Sequence, residues 1–198
     1  REYLGIWGKN TRDIFTPEKL EEITGKEYDW NESDDTNDRV IGADPGFGSS
    51  EFGICIIQKR KGKKSVIFSE SYKRASYIDM VERIADLSRR FKTKKIIVDG
   101  AVPEIIKDLR DKYHMVVTPV LFGIHGDRML NYAVNHVDNL TVEIHPAFKK
   151  LKHQLMTIKV NKKGLPDKTT QNPFDIGDAF LLAMYYYKLG SGIVAGIY

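Results

Sequence analysis

A single cysteine, Cys55, leaves no partner for an intramolecular disulfide, and its place inside an apolar run reads as a small core residue of an intracellular protein. No apolar run approaches the ~20 residues that a membrane helix needs. The first residues also lack the apolar core of a secretory signal. The glycine-rich phosphate loop that closes in Gly-Lys-Ser or Gly-Lys-Thr is missing, which excludes an ATP-driven motor within these residues. Tryptophan is scarce, and Trp7 and Trp30 both fall in the first part of the chain, where packing is expected rather than stacking on bases. Neither an internal repeat nor a low-complexity tract is found. What is present is the composition of a globular domain, 41% hydrophobic and 29% charged over 198 residues, enough for one core. The formal net charge of +4 pulls weakly toward polyanions, and the clustering of the lysines says more than the sum.

The densest pattern begins at Arg39. Val40 and Ile41 open an apolar strand that ends at Asp44; Pro45, Gly46 and Gly48 turn the chain; Phe52 to Ile57 return it as a second strand. A carboxylate at such a strand end is held by rigid backbone, which suits a hard divalent cation. It suits the opening of a turn equally well. After a basic tip, Gln58 to Ser65, a third strand runs to Ser71, and the close spacing predicts a three-stranded antiparallel meander.

Helical spacing follows over 76–91, then a buried strand, Lys94 to Gly100, which again ends in an acid, Asp99. A helix over 103–112, a strand over 115–120, a helix over 128–137, a strand over 141–144 and a helix over 147–155 come next. Met156–Val160 and Leu165–Thr170 read as a hairpin around an Asn-Lys-Lys-Gly turn. Pro173 to Leu189 forms the last helix, with Asp175 and Asp178 three apart on one face of its opening turns. Residues 1–38 read as an N-terminal arm or linker outside the main core, with a short helix from Pro17 capped by Thr16 and stopped at Gly25; residues 39–198 form the domain. Three meander strands, alternating helices and strands, then a helix crossing back give the order of an RNase H-like α/β fold: a mixed central sheet flanked by helices.

Asp44, Asp99 and Asp178 therefore belong to three separate motifs that this fold can bring to one edge. Acids so gathered repel one another unless cations lie between them, and two divalent ions can activate water and stabilise the leaving oxygen of a phosphodiester. Each motif alone has an ordinary reading, as a strand end or as a dipole-stabilising first-turn acid. The lysine-rich tip Lys59–Lys64 reads as a solubilising turn. Lys159, Lys162, Lys163 and Lys168, just before the last helix, are candidates for phosphate contact. His125 and His145 fall in expected loops, where a histidine more commonly has no special role.

In this order and spacing, Ile41–Gly46, Ile97–Gly100 and Phe174–Ala183 resemble the nuclease domain of a viral large terminase subunit, the packaging-motor protein of tailed phages and herpesviruses. The resemblance covers residues 40–189, and the arm looks like the segment that joins motor to nuclease. It implies an endonuclease that cuts concatemeric DNA during genome packaging with two Mg²⁺ or Mn²⁺ ions. Position by position it implies Asp44 as the ligand that bridges the two ions, Asp99 and Asp178 as the ligands that each hold one, and Asp175 as a neighbour that is acid or histidine in relatives. Where relatives read His-Asp-Asp, this chain has Pro173-Phe174-Asp175, which leaves Asp175 and Asp178 competing for the principal role. Asp178 is favoured because the run from Asp178 to Ala183 resembles the Asp-Ala-Leu helix of Holliday-junction resolvases. The implied partners are double-stranded DNA, the ATPase motor domain, the small terminase subunit and the portal, with no membrane. The implied location is the host cytoplasm, or the nucleus for a herpes-type virus. A junction resolvase or transposase of the same fold, an actin-like ATPase whose first hairpin reads similarly, and a non-catalytic nucleic-acid-binding module are the alternatives.

Overall fold

A computed structural model of the chain describes residues 14–29, 38–46, 50–159 and 173–189. Among these, α1 (Pro17–Thr24) precedes the meander of β1 (Asp38–Asp44), β2 (Phe52–Arg60) and β3 (Lys63–Tyr72). Then come α2 (Tyr77–Arg90), β4 (Lys95–Asp99), α3 (Pro103–Asp111), β5 (Val117–Val120), α4 (Phe122–Asp138), β6 (Val142–Ile144), α5 (Lys149–Thr157) and α6 (Asp175–Leu189). The strands form one six-stranded sheet in the order β5-β4-β1-β2-β3-β6. β1–β2 and β2–β3 are antiparallel, whereas β1–β4, β4–β5 and β3–β6 are parallel. This is the mixed RNase H-like sheet with its antiparallel meander.

Alternation along the strands builds two cores, one on each face. Val40, Cys55, Ile57, Val66 and Ile97 face α1, α4, α5 and α6, while Ile41, Ala43, Ile54, Ile56, Ile96 and Val98 face α2 and α3. Cys55 is fully enclosed, and burial pushes its thiol well above the usual range, as expected of an inert core residue. At the start of β1 the buried Arg39 ties the sheet to the end of α2: its Nε donates to Gln58 Oε1 (3.2 Å) and an Nη to the Phe91 carbonyl (3.0 Å). A cation at a helix C-terminus is favourably placed against the helix dipole. At the other end of α2, Ser76 and Asp79 form a capping box.

Three expectations change. The described part of the expected arm is not outside the core: Ile14, Phe15, Leu20 and Ile23 are buried in the same cluster as Val142, Leu151 and Leu155. Leu20 and Ile23 give α1 an apolar stripe to bury, Ile14 and Phe15 extend it just before the helix, and the end of the sheet at β6 offers the surface. Next, α4 begins at Phe122, a turn and a half before Arg128, so His125 is helical rather than in a loop. Gly123 and Gly126 weaken the helical pattern locally, but burial of Met129, Leu130, Ala133 and Val137 outweighs that cost. Finally, Met156 and Thr157 close α5 instead of opening a hairpin strand. Ile158 caps that helix, and the rest of the expected hairpin from residue 160 to residue 170 lies outside the described residues.

Candidate metal centre

The pleat decides where the acids point. Val40 faces the α6 side, so Gly42 and Asp44 do as well. On β4, Ile97 faces that side and so, two residues on, does Asp99. β1 and β4 are parallel neighbours with Ala43 opposite Val98, and one step further Asp44 and Asp99 end the two strands side by side. Both carboxylates thus leave the same face at the same edge of the sheet.

Small residues then let α6 come down onto that face. A Cβ on Gly42 would stand 2.0 Å from the Ala179 carbonyl oxygen and 2.6 Å from the Ala183 nitrogen, so only glycine permits this approach. Gly53, paired with Asp44 across β1–β2, plays the same part at the helix start, where a Cβ would stand 2.2 Å from the Asp175 carbonyl oxygen. α6 therefore crosses the sheet from Gly53 to Gly42 with its first turn above the end of β1. Asp178 lies between these two points of closest approach, 2% exposed. Its N–H donates to the Phe174 carbonyl (2.7 Å), and Gln154 of α5 receives the Gly177 N–H (3.0 Å), which fixes the opening turn.

Asp175 stands differently. It is half-buried, and burial pushes its carboxyl upward, with the Glu51 charge adding to the shift; main-chain N–H groups, including that of Glu51, and the Lys150 ammonium oppose it. Glu51 is the acid that sequence reasoning missed. It follows the glycine-rich turn and meets Lys150 from α5, Ser71 from β3 and, at 3.9 Å, Lys73. Burial would raise its carboxyl, but hydrogen bonds from Lys150 and Ser71 hold it below the ordinary carboxylate range. No local spacing signals this cluster, because Glu51 and Lys150 are 99 residues apart.

Backbone placement thus brings Asp44, Asp99, Asp175 and Asp178 to one sheet edge. The side chains are not drawn tight there: among the described residues no three His, Cys, Asp or Glu side chains stand as a ready-made ion cage. Asp99 Oδ1 receives the Ala101 N–H (3.2 Å), an Asx turn that opens the loop into α3. The donor set still fits a hard divalent ion, since it is made of carboxylate oxygens on two strands and a helix that glycine contacts lock together. Of the expected DNA-contacting lysines, Lys159 is exposed just beyond α5, and Lys162, Lys163 and Lys168 lie outside the described residues. His125 faces Tyr185 of α6, with Nδ1 3.3 Å from its hydroxyl. His145 packs edge-on against Tyr28 and so reads as structural.

The class this architecture defines is an RNase H-like α/β domain with an acidic edge. Among solved structures, the large terminase nuclease from thermophilic phage G20c with bound magnesium is similar at TM-score 0.74 and 16% identity, covering 89% of this chain and 98% of that one. The nuclease domain of the large terminase from bacteriophage SPP1 with bound manganese is similar at TM-score 0.58 and 16% identity, covering 88% and 93%. A large terminase from a thermophilic bacteriophage matches at TM-score 0.61 and 14% identity, over 73% of this chain and 39% of its own. The chain has the fold of large terminase nuclease domains. No family model matches the sequence, and no curated protein does.

Proposed function

We propose that the chain is the nuclease domain of a large terminase subunit, a divalent-metal-dependent endonuclease that hydrolyses phosphodiesters of double-stranded viral DNA during packaging. The observation that carries this reading is the exit of Asp44 and Asp99 side by side beneath the buried Asp178 of α6. It is supported by a fold shared with terminase nucleases, two of which are described with bound magnesium or manganese. The match to 39% of a longer terminase agrees with a domain that works beside a motor ATPase; the small terminase subunit and portal belong to the same proposal.

Asp44, Asp99 and Asp178 would hold the ions, with Asp175 at the rim. Bound there, divalent cations lower the pKa of an attacking water and neutralise charge on the leaving oxygen. The protein supplies position: β1 and β4 fix two carboxylates, and α6, seated on Gly42 and Gly53, fixes the third. The burial of Asp178 limits competing water.

The test is cleavage of supercoiled plasmid with Mn²⁺, Mg²⁺ or EDTA, comparing the native chain with Asp44→Asn and Asp178→Asn. Cutting that needs metal and disappears in both variants is expected. Cutting that survives Asp44→Asn would overturn the assignment.

A further inference from the structure

The acid edge has a basic neighbour. α5, Lys149–Thr157, contains no acidic residue. Leu151, Gln154 and Leu155 anchor it in the core, and Lys152 is turned away to pair with Glu21 of α1 at 2.8 Å. This leaves Lys149, Lys150 and His153 on the exposed side, at the i, i+3 and i+4 spacings that line one helix face. The helix sits beside the proposed site, because Gln154 holds the first turn of α6 through the Gly177 N–H.

Lys150 is the link between this face and the acids. Its ammonium donates to the Glu51 carboxylate and to Ser71 Oγ of β3 (2.6 Å), while Lys73 reaches the same carboxylate from the turn after β3 at 3.9 Å. Two ammonium groups and a hydroxyl from separate elements thus converge on one anionic group. The Lys150 side chain is 48% exposed and that of Lys73 81% exposed, so a second anion can reach both. A phosphate oxygen offers a lysine the same charge-assisted hydrogen bond as a carboxylate oxygen.

We propose that the exposed face of α5 is the track for the phosphate backbone of duplex DNA, and that Lys150 exchanges Glu51 for a phosphate when the duplex arrives. The inference rests on the nuclease reading and places its substrate on one surface. Lysines contact phosphates without reading bases, so binding there is sequence-indifferent and falls steeply with salt. The exchange releases the Glu51 carboxylate beside Asp175 at the moment of binding, so the electrostatics of the acid edge change when substrate is present.

The experiment is fluorescence anisotropy of a labelled duplex with the full chain in EDTA, titrated with salt, after thermal melts establish that each variant is folded. Lys149→Ala and Lys150→Ala should each weaken binding, by roughly threefold to tenfold, and flatten the log–log salt slope by about 0.9. Lys150→Arg should restore it. Glu51→Gln should tighten binding, and that gain should vanish in the Lys150→Ala background. Lys61→Ala, in the β2–β3 turn at the opposite end of the sheet, should change nothing. Parent affinity and slope in both α5 variants would overturn the proposal, as would an equal loss in Lys61→Ala or a Glu51→Gln variant that binds like the parent. Duplex binding on α5 without metal-dependent cutting would leave this proposal standing and sink the nuclease reading. A parent chain that binds no duplex would sink both.

Discussion

Asp175 and Asp178 share a helix turn but not an environment. Asp178 is enclosed beneath α6, whereas Asp175 sits at the rim, where its carboxyl is raised by burial and by Glu51. Asp178→Asn should therefore reduce single-turnover cleavage by roughly a hundredfold or more, and Asp175→Asn by less than about tenfold, if only the enclosed carboxylate is a principal ligand. Stability should separate them too. An acid whose folded-state pKa is raised disfavours the folded state once it ionises, so Asp175 weakens the fold as pH climbs past its ordinary value of about 3.8. Asp175→Asn should accordingly raise the melting temperature at pH 7, with the difference shrinking toward pH 4. A lower melting temperature at pH 7 would show that its hydrogen bonds to main-chain N–H groups outweigh the charge.

At the scale of elements, the decisive contact is α6 on β1. A methyl group on Gly42 would stand 2.0 Å from the Ala179 carbonyl oxygen, a backbone atom that cannot swing aside, so the helix must move. Overpacking of this kind costs about 1–3 kcal/mol. Displacement of a catalytic group by about 1 Å can cost a hundredfold in rate. Gly42→Ala should lower the urea midpoint and also cut cleavage by at least about tenfold, out of proportion to the unfolded fraction. The seam itself went unread in the sequence, because Gly42 and Ala179 are 137 positions apart and nothing local pairs them. The strand-end acids were legible, since a period of two fixes which residues share a face. The start of α4 was not, because Gly123 and Gly126 obscure a pattern that tertiary burial restores. Nor was the tie between Lys150 and Glu51, where two unremarkable surface residues meet only once the sheet is assembled.

Across the whole molecule, the end of the sheet opposite the acids carries a second titratable group. Lys64, near the start of β3, places its ammonium 3.3 Å from His136 Nδ1 and near the rings of Tyr132 and Tyr187. His136 Nδ1 also lies 2.5 Å from Thr141 Oγ1. A second positive charge beside the Lys64 ammonium is disfavoured, so the ring resists protonation. Burial and the Lys64 charge lower its pKa from 6.5 to about 4. A depressed folded-state pKa gives stability that is complete above the unfolded value and lost as pH falls toward the folded one, here between about 6.5 and 4. Solvent reaches this ring, so the loss is about 1 kcal/mol rather than that of an enclosed group. The urea midpoint should therefore decline as pH drops from 6.5 to 4, and His136→Gln should flatten that part of the profile. Since Lys64 and Asp44 lie at opposite ends of the meander, the same variant should leave metal-dependent cleavage at pH 7 unchanged. A parallel fall in cleavage would mean that the far end of the sheet sets the geometry of the acid edge, and that the two ends do not titrate independently.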